Sequence, residues 1–280
     1  MFIAIEDIDR LIKEDVPYID LTGHSLGISE EHAQIEYYTR EDCVVCGTEV
    51  VRMIFERLNI DLQSLVPTAS LVKSGDTLIV GKGCAADVMM AWKVGQNVLD
   101  NCSGIATKTK NMVTLAKSVN PDVSIFTTRK GFPGTKSLAM KAIMAGGATP
   151  HRLGISETIL IFKQHQEFIG GFAGLLKKLP MMKHACCEKK IIVEASTYEE
   201  ALALCEVGAD GIQFDKLEAS YLTDCVRKLK VKFPYAIYLA TGGITEANVK
   251  EYAKTGIDGI VTTSLYVAKP IDIGVRIEGI

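Results

Sequence analysis

Polar and charged residues recur at the ends of short apolar segments in the second half of the chain. Basic residues stand at several of these ends or on the loops beside them, and they are Arg129, Lys130, Arg152 and Lys163. If the segments are parallel strands, their carboxyl ends meet at one edge, so these cations surround a single mouth. Arginine in particular forms paired hydrogen bonds with carboxylates and phosphates. The pattern therefore predicts a site for a small anionic substrate.

Two carboxylates and a glycine turn add to this group of residues. Glu194 and Asp215 end successive apolar segments, where two carboxylates among cations can hold Mg²⁺ or bind ribose hydroxyls. A structural role, in which both acids pair with the nearby lysines and arginines, is an equal alternative. The Thr-Gly-Gly turn at 241–243 precedes a predicted helix that begins near Thr245. Backbone N–H groups and a positive helix end would suit a phosphate there, although turns also require glycine for backbone reasons.

Short segments rich in valine and isoleucine alternate with helical patterns from about residue 120 onward. They span residues 123–129, 158–163, 190–194, 211–215, 236–241 and 259–264. Helix candidates lie between them, such as the one that Thr197 and Glu200 open with a capping box. Continuous apolar strands that alternate with helices are typical of βαβ units in a covered parallel sheet. Six such strands predict an α/β barrel or a partly open one.

The first hundred residues show a different, α+β pattern. Short strands accompany one helix near 44–57 and a long helical stretch from about 85 to 119, with an expected break near Ser103 and Gly104. We therefore predict an N-terminal domain over 1–103 and a C-terminal barrel domain over 104–271. Residues 272–280 are expected to return to the first domain.

The composition excludes several classes of protein. Against 31 lysines and arginines stand 34 aspartates and glutamates, for a net charge of -3, and 48% of the residues are hydrophobic. This balance is ordinary for a globular protein and does not favour nucleic-acid binding or disorder. No apolar run approaches the roughly 20 residues that a membrane span needs, and the start of the chain lacks a basic leader region. We expect a cytoplasmic protein without a membrane partner.

Eight cysteines raise the question of a zinc site. Cys43 and Cys46 form a C-x-x-C pair, and the best second set would come from His184, Cys186 and Cys187. That second set lies far along the chain and is adjacent rather than spaced, which does not suit zinc. We interpret the cysteines as small buried side chains in a reduced compartment.

Several consecutive segments resemble the motifs of the quinolinate phosphoribosyltransferase family. In chain order they are NVLDNCSGIAT at 97–107, TRKGFPG at 128–134, AGGATPHRLG at 145–154, VE at 193–194, GADGIQFD at 208–215 and ATGGIT at 240–245. YIDLT at 18–22 adds a match near the start. The resemblance covers nearly the whole chain. Within the family it is strongest to a branch of pyrophosphorylases whose genes accompany molybdate transport genes.

The resemblance implies a fold and an activity. The fold would be an N-terminal α/β sandwich followed by a partly open α/β barrel related to TIM barrels, with sites completed across a homodimer or a ring of dimers. The activity would be that of a pentosyltransferase that moves phosphoribosyl from phosphoribosyl pyrophosphate to a nitrogen heterocycle. Pyrophosphate would be released and Mg²⁺ would be the cofactor.

The resemblance also implies roles for individual residues. Substrate carboxylates would be bound by Arg129, Lys130, His151 and Arg152, ribose and metal by Glu194 and Asp215, and phosphate by Thr241, Gly242, Gly243, Thr263 and Ser264. Arg129, Lys130, Glu194 and Asp215 would be the catalytic residues among them. In this reading the two acids stabilise ribose and metal and do not act as nucleophiles.

Four places depart from the family pattern, namely position 93, positions 162–163, positions 131–132, where Gly131 and Phe132 replace two threonines, and position 263. A family arginine that reaches in from the neighbouring subunit corresponds to Lys93, which keeps the charge and loses the planar fork. A family lysine aligns with Phe162, so Lys163 is displaced by one position, which on a strand reverses the face of the side chain. Thr263 stands in place of a glycine near the last phosphate contact. The first two departures fall on the side that would bind a dicarboxylate such as quinolinate, while the phosphoribosyl side is largely intact.

Two other functions fit parts of the same pattern. A non-catalytic accessory protein linked to molybdate transport would use the basic mouth to hold an oxyanion. An aldolase would use Lys163 as a Schiff-base nucleophile. The displaced register of Lys163 makes the aldolase the weaker of the two alternatives.

Overall fold

The computed structural model describes residues 2–280. Its strands are β1 (His32–Thr39), β2 (Cys43–Val44), β3 (Asp61–Leu65), β4 (Leu71–Val72), β5 (Thr77–Cys84), β6 (Ser124–Thr127), β7 (Thr149–Pro150), β8 (Ile159–Ile161), β9 (Ile191–Ala195), β10 (Gly211–Asp215), β11 (Ile237–Thr241), β12 (Gly259–Thr262) and β13 (Ile273–Gly279). Its helices are α1 (Ile5–Asp15), α2 (Leu21–Leu26), α3 (Thr48–Arg57), α4 (Ala85–Lys117), α5 (Lys136–Ala145), α6 (Lys163–Gln166), α7 (Gly171–Ala185), α8 (Tyr198–Glu206), α9 (Ala219–Lys232) and α10 (Val249–Ala253). A short 3-10 helix spans Ser264–Tyr266.

The chain divides into two compact units. The first comprises residues up to 110 together with 131–147 and 265–280, and the second comprises 111–130 and 148–264. The sequence places a boundary after residue 103, whereas the units group residues 131–147 and 265–271 with the first hundred. Each unit has its own sheet.

The first unit is built on a four-stranded antiparallel sheet in the order β13-β1-β5-β3. Strand β1 alternates strictly, so that Ala33, Ile35 and Tyr37 are buried on one face. The buried Tyr37 hydroxyl donates to the carbonyl oxygen of Ala91 at 2.9 Å, which satisfies its only polar atom. Strand β13 pairs with β1 over its full length, so the end of the chain completes this sheet.

Helix α4 is continuous over 33 residues, and the expected break near Ser103 and Gly104 is wrong. Gly104 has another reason to be glycine. A Cβ atom there would lie 2.4 Å from the carbonyl oxygen of Lys269, so the residue permits a close approach of backbone to helix. Ser103 is also accommodated, since its buried hydroxyl accepts from the N–H of Cys46 at 3.0 Å. Both residues serve packing and leave the helix intact.

Asp100 on α4 makes the stability of the first unit depend on pH. Burial raises the pKa of its carboxyl from 3.8 to about 6, even though the N–H of Ile273 donates to it. Because the folded state disfavours the charged form of this carboxyl, the contribution of Asp100 to stability is most favourable below pH 4. That contribution is lost as pH rises through 6. We expect Asp100→Asn to be about 1 kcal/mol more stable than wild type at pH 8, after discounting for solvent screening.

Urea unfolding at pH 4 and pH 8 checks this expectation. The gain should be much smaller at pH 4, where the folded-state carboxyl is protonated and the unfolded-state carboxyl, with its ordinary pKa of 3.8, is only partly charged. The exposed Asp61→Asn substitution is the matched control and should be neutral at both values. Equal stability of wild type and Asp100→Asn at pH 8 would contradict the assignment.

The second unit is a half-barrel of seven parallel strands in the order β7-β6-β12-β11-β10-β9-β8. The six strands predicted from apolar segments are all present, and the two-residue strand β7 adds one at an edge. Helix α8 begins after Thr197, whose side chain accepts from the N–H of Glu200 as the capping box predicts. Strands β9, β10 and β12 are buried almost throughout. This burial explains their continuous apolar runs.

A repeated aspartate fixes the amino ends of the strands in the second unit. Asp210 accepts from the N–H of Ile191 at 2.8 Å and pairs with Lys183. Asp258 accepts from the N–H of Tyr238 at 2.7 Å and pairs with a lysine in the same way, namely Lys230. Each aspartate thus ties a loop, a strand and a helix together at the edge away from the carboxyl ends. The same contacts recur in the two loops, away from the cavity, which indicates a role in stability.

Five of the eight cysteines are buried, as expected, whereas Cys84 and Cys186 are half-buried and Cys187 is exposed. Cys43 and Cys46 are buried in the first unit, whereas Cys187 is exposed after α7. The described residues contain no group of three or more histidine, cysteine, aspartate or glutamate side chains placed to hold a metal ion. Among those residues, none of the helices combines the length and the apolar character that crossing a membrane requires.

Candidate active site

A cavity of about 780 Å³ opens at the carboxyl ends of the strands in the second unit. All seven strands contribute residues to its wall, either from their last positions or from the loops that follow. The predicted site residues that line it are Arg129, Lys130, His151, Arg152, Glu194, Asp215, Thr241, Gly242, Gly243, Thr263 and Ser264. Two predicted residues do not line it, since Lys93 lies on α4 in the first unit and Lys163 is absent from the wall.

Strand register places the two acids on the same face of the sheet. Glu194 of β9 is paired with Gln213 of β10, and Asp215 follows two residues later. Residues two apart on a strand share a face, so all three side chains face the cavity. Alternating with them, the apolar Phe214 is fully buried on the opposite face. The period of two therefore explains how a mostly apolar strand delivers a carboxylate to a polar site.

Neighbouring groups shift the pKa of the Glu194 carboxyl in both directions. Burial and the negative charge of Asp215 raise the pKa of the Glu194 carboxyl. A hydrogen bond from the Gln213 amide and the charges of Lys163 and Lys130 act in the opposite direction. Lys163 thus acts on the site electrostatically although it does not line the cavity. A cation that enters between the two acids would relieve their repulsion.

Removing one acid should change the titration of the other. We expect Asp215→Asn to lower the pKa of Glu194, because the second-largest cause of its rise is the Asp215 charge. A carbon-13 NMR titration of labelled glutamate carboxyls measures this shift directly. The exposed Asp224→Asn substitution on α9 is the control and should leave the Glu194 titration in place. A Glu194 pKa that is unchanged in Asp215→Asn would show that the two acids do not interact.

Basic residues form one side of the cavity. Arg129 and Lys130 follow β6 and are exposed, while His151 and Arg152 follow β7 and are half-buried. Burial and the charge of Arg129 both lower the pKa of Arg152, which shows that the two guanidinium groups lie near each other. The carboxylate of Glu157 offsets this effect only in part, so the two neighbouring cations form a ready site for a carboxylate or phosphate.

His151 is the neutral member of this group. Burial, followed by the charge of Arg152, lowers the pKa of its imidazole. The ring packs edge-on against Phe126, with 6.1 Å between ring centroids. Its Nε2 atom is buried and has no hydrogen-bond partner among residues 2–280. A substrate group that enters the cavity would supply that partner.

Phe162 lines the cavity at the place where the family pattern has a lysine. The strand β8 ends at Ile161, and the N–H of Phe162 donates to Nδ1 of His165 at 3.0 Å. The two rings stack with 5.9 Å between centroids and 19° between planes. Lys163 begins the next helix, is exposed and leaves the wall apolar at this point. Lys163 is off the cavity wall because the chain leaves β8 at Ile161 and enters α6, and not because a strand reverses the face of its side chain.

The glycine turn after β11 depends on backbone conformations that favour glycine. Gly242 and Gly243 have φ values of +92° and +71°. A Cβ atom on Gly242 would lie 2.4 Å from Cγ of Lys216 and 2.7 Å from Oδ1 of Asp215. Gly242 is thus required both by its φ angle and by the close approach of β10. The turn leaves its N–H groups beside the cavity, as a phosphate loop needs.

The helix predicted to begin near Thr245 begins four residues later and is short. The N–H of Thr245 donates to Oδ1 of Asn248 at 2.8 Å. The Asn248 amide in turn donates to the carbonyl oxygen of Gly243 at 3.2 Å. These side-chain bonds accompany a turn over 245–248, in which the N–H of Val249 also donates to the carbonyl oxygen of Thr245 at 2.9 Å, and α10 itself spans only Val249–Ala253. The positive helix end expected at Thr245 is therefore wrong.

Hydroxyl groups after β12 and β6 join the two strand ends. The hydroxyls of Thr128 and Thr263 lie 2.9 Å apart. Thr262 donates to the carbonyl oxygen of Ile244 at 2.7 Å and accepts from the N–H of Ser264 at 3.0 Å. The residue that replaces a family glycine, Thr263, thus fixes neighbouring loops to each other.

Sequence reasoning missed several residues of the wall. Gln213 and Lys216 line the cavity on either side of Asp215, and Thr128 and Gln164 line it beside predicted residues. Gln213 is 5% exposed, and a lone glutamine within an apolar strand is a signal that could have identified it. Lys216 follows a strand end directly and belongs to the same pattern as Arg129 and Lys130.

Comparisons with known proteins cover the whole chain. Family models for the quinolinate phosphoribosyl transferase N-terminal domain and C-terminal domain match residues 20–103 and 105–276. A protein of Escherichia coli O157:H7 named "Putative pyrophosphorylase ModD" is 34% identical over 278 residues, which is 99% of this chain and 98% of that protein. A protein of the same name from Rhodobacter capsulatus is 34% identical over 247 residues, which is 88% of this chain and 94% of that protein.

A solved structure shares the fold. The nicotinate-nucleotide pyrophosphorylase of Ehrlichia chaffeensis superposes with a TM-score of 0.89 at 24% identity, covering 99% of this chain and 100% of that one. The matched models, the relatives of similar length and the order of the motifs agree. The chain is a member of the quinolinate phosphoribosyltransferase family.

Proposed function

We propose that this protein transfers a phosphoribosyl group from phosphoribosyl pyrophosphate to a ring nitrogen of a heterocycle and releases pyrophosphate. One observation carries the proposal. A pair of facing carboxylates, Glu194 and Asp215, shares one cavity with a cationic wall and with a glycine turn. Family membership and the pyrophosphorylase relatives support the same chemistry.

The residues divide between the two halves of the reaction. The bond from the ribose C1 atom to the pyrophosphate oxygen breaks as the bond from C1 to the ring nitrogen forms. Positive charge develops on the ribose ring, where the carboxylates of Glu194 and Asp215 stabilise it. Negative charge develops on the leaving pyrophosphate, which Lys130 and neighbouring cations stabilise. Both acids act through their charge and form no covalent bond with the sugar.

The two acids also fit a Mg²⁺ ion. Mg²⁺ prefers oxygen ligands, takes one or two carboxylates and completes its shell with water and phosphate oxygens. Glu194 and Asp215 are the residues that would hold it, and their mutual repulsion would fall when it binds. The ion supplies charge neutralisation at the leaving pyrophosphate when bound.

The acceptor binds, in this proposal, between the basic side and Phe162. Arg129 and Arg152 hold an anionic group of the acceptor, and His151 meets a neutral polar group. Phe162 and Leu160 give the opposite wall an apolar surface that suits the face of a heterocycle. We infer an acceptor with fewer anionic groups than a pyridine dicarboxylate, because an aromatic ring lines the wall where the family has a lysine.

A screen of acceptors tests the proposal. Pyridine mono- and dicarboxylates, purines and pyrimidines are supplied with phosphoribosyl pyrophosphate and Mg²⁺, and pyrophosphate and CO₂ release are both measured. We expect pyrophosphate release with at least one class, and monoanionic acceptors to exceed quinolinate. Phe162→Lys should shift the preference back toward the dicarboxylate.

The screen is paired with titration calorimetry. Micromolar binding of molybdate without any binding of phosphoribosyl pyrophosphate would overturn the proposal and favour the non-catalytic oxyanion-binding protein. Borohydride trapping with carbonyl compounds covers the aldolase, which requires labelling of Lys163. Failure of every acceptor, together with no binding of phosphoribosyl pyrophosphate, would also refute the transferase.

A second copy of the chain completes the site in our proposal. Lys93 is exposed on α4, where its Nζ donates to Gln96 at 3.0 Å and lies 4.8 Å from the Trp92 ring centroid. We assign Lys93 to the site of a partner subunit in a homodimer or ring of dimers. Mixing the inactive variants Lys93→Ala and Glu194→Gln should restore part of the activity, because hybrid dimers contain one intact site. No recovery on mixing would refute the shared site.

A further inference from the structure

Lys216 is a non-glycine residue with a left-handed backbone at the wall of the cavity. Its φ angle is +57°, and it follows Asp215 at the end of β10. Within residues 2–280, Asn59 and Ala69 also have positive φ, but neither lines this cavity. Residues with a Cβ atom adopt this conformation at a cost, and such positions cluster at functional sites. Contacts with the surrounding structure must therefore stabilise this backbone conformation at Lys216.

The neighbouring strand holds Lys216 in place. Its N–H donates to the carbonyl oxygen of Thr241 at 2.8 Å, which ties the end of β10 to the end of β11. The space that a side chain on Gly242 would occupy is filled by the stem of Lys216, whose Cγ lies 2.4 Å from that position. The lysine stem therefore packs across the glycine turn, in space that only a glycine at position 242 leaves open.

The ammonium group of Lys216 has no counterion within residues 2–280. The lysines at the opposite edge of the sheet, Lys183 and Lys230, pair with Asp210 and Asp258. Lys216 forms no such ion pair among the described residues, and its side chain is exposed at the cavity wall. An unpaired cation beside free N–H groups of a glycine turn is suited to a phosphate.

We propose that Lys216 binds the 5′-phosphate of the phosphoribosyl substrate together with the backbone of Gly242 and Gly243. This inference rests on the proposed function and assigns a residue that sequence reasoning did not select. The left-handed backbone directs the lysine stem across the turn. The diphosphate end of the substrate is bound elsewhere, at the acids and the cations of the basic wall.

Two variants separate the charge of Lys216 from its backbone role. Asparagine tolerates the left-handed conformation, so Lys216→Asn removes the ammonium group while the turn is retained. Lys216→Arg keeps the positive charge. Lys232→Met, at the exposed end of α9, is the matched control for the loss of one positive charge.

Calorimetry with two fragments of the substrate distinguishes its two ends. Ribose 5-phosphate carries the 5′-phosphate alone, and inorganic pyrophosphate with Mg²⁺ carries the diphosphate alone. We expect Lys216→Asn to weaken ribose 5-phosphate binding by roughly ten- to a hundredfold and to leave pyrophosphate binding within about twofold of wild type. Lys216→Arg should retain most of the affinity, and Lys232→Met should bind both fragments as wild type does.

The outcomes distinguish a failure of the proposed function from a failure of the role assigned to Lys216. Wild type that binds neither fragment nor phosphoribosyl pyrophosphate would refute the proposed function itself. Wild type that binds ribose 5-phosphate, with Lys216→Asn binding it equally well, would overturn only the role of Lys216. A loss of pyrophosphate binding with intact ribose 5-phosphate binding would also overturn it, by placing the lysine at the diphosphate. Unfolding curves of each variant confirm that the comparison is between folded proteins.

Discussion

Glu194→Gln is expected to reduce pyrophosphate release from phosphoribosyl pyrophosphate by roughly a hundred- to a thousandfold. The substitution preserves shape and can keep the hydrogen bond with the Gln213 side chain. It removes the negative charge that would face the developing positive charge on ribose. Because that charge exists mainly in the transition state, kcat should fall far more than the affinity for phosphoribosyl pyrophosphate. Steady-state kinetics with a continuous pyrophosphate assay measure both quantities.

A matched substitution makes the result specific. Glu188→Gln removes one carboxylate from the exposed segment after α7 and should leave both kinetic constants unchanged. Thermal unfolding of the two variants should be similar to that of wild type. Turnover by Glu194→Gln at the wild-type rate would rule out an electrostatic role for this acid. It would also rule out the separate roles that we assign to the acids and the cations of the cavity.

Gly242→Ala is expected to abolish measurable turnover and to destabilise the fold by about 1–3 kcal/mol. An alanine at φ +92° is strained, and its Cβ atom would meet Lys216 and Asp215 at 2.4 and 2.7 Å. The turn must shift to relieve these contacts. The shift displaces the N–H groups that we assign to the phosphate and also the carboxylate of Asp215. Urea unfolding and steady-state kinetics measure the two effects separately.

Gly208→Ala separates the backbone penalty from the clash. Gly208 has a φ of +95°, which is nearly that of Gly242, and a Cβ atom there meets nothing within 4 Å. This variant should lose about 1 kcal/mol of stability and keep full activity, because the residue does not line the cavity. If Gly242→Ala behaved in the same way as Gly208→Ala, the close packing of the turn against β10 would have no functional importance.

The parallel sheet could be predicted because its strands are buried on both faces. Residues 191–195 and 211–215 carry continuous apolar runs that only a covered strand tolerates, and the structure places β9 and β10 there. Strand β7 could not be predicted, since Thr149 and Pro150 alone carry no periodic signal. Its pairing with β6 is a consequence of tertiary structure.

Two errors have local physical causes. Gly104 has the composition of a helix break, yet its role is to let the backbone of Lys269 approach α4, a contact far apart in the sequence. Thr245 has the composition of a helix start, yet the Asn248 side chain bonds to the N–H of Thr245 and to the carbonyl oxygen of Gly243, and the chain makes a turn before α10 begins at Val249. In both cases a single residue type is compatible with two roles, and only packing decides between them.

The lining of the cavity could be predicted where strand ends determine the position of side chains. Glu194 and Asp215 reach the cavity because they occupy inward positions on central strands, and a period of two is enough to predict that. Lys216 was missed because its contribution depends on a left-handed turn that composition does not signal. Phe162 lines the cavity where the family pattern has a lysine. It does so because β8 ends at Ile161 and the chain turns before Lys163.

The order of strands in the half-barrel has a consequence for how new specificities arise. The four adjacent strands β12, β11, β10 and β9 carry the residues that we assign to the phosphoribosyl group, and the strands outside them carry the residues assigned to the acceptor. Strands β7 and β8 each have one free edge, so changes there disturb fewer hydrogen bonds of the sheet. A gene library varied only after these two strands should yield enzymes with altered acceptors at unaltered affinity for the sugar phosphate. In this arrangement the loops after the two outer strands can change while the residues on the central strands stay the same.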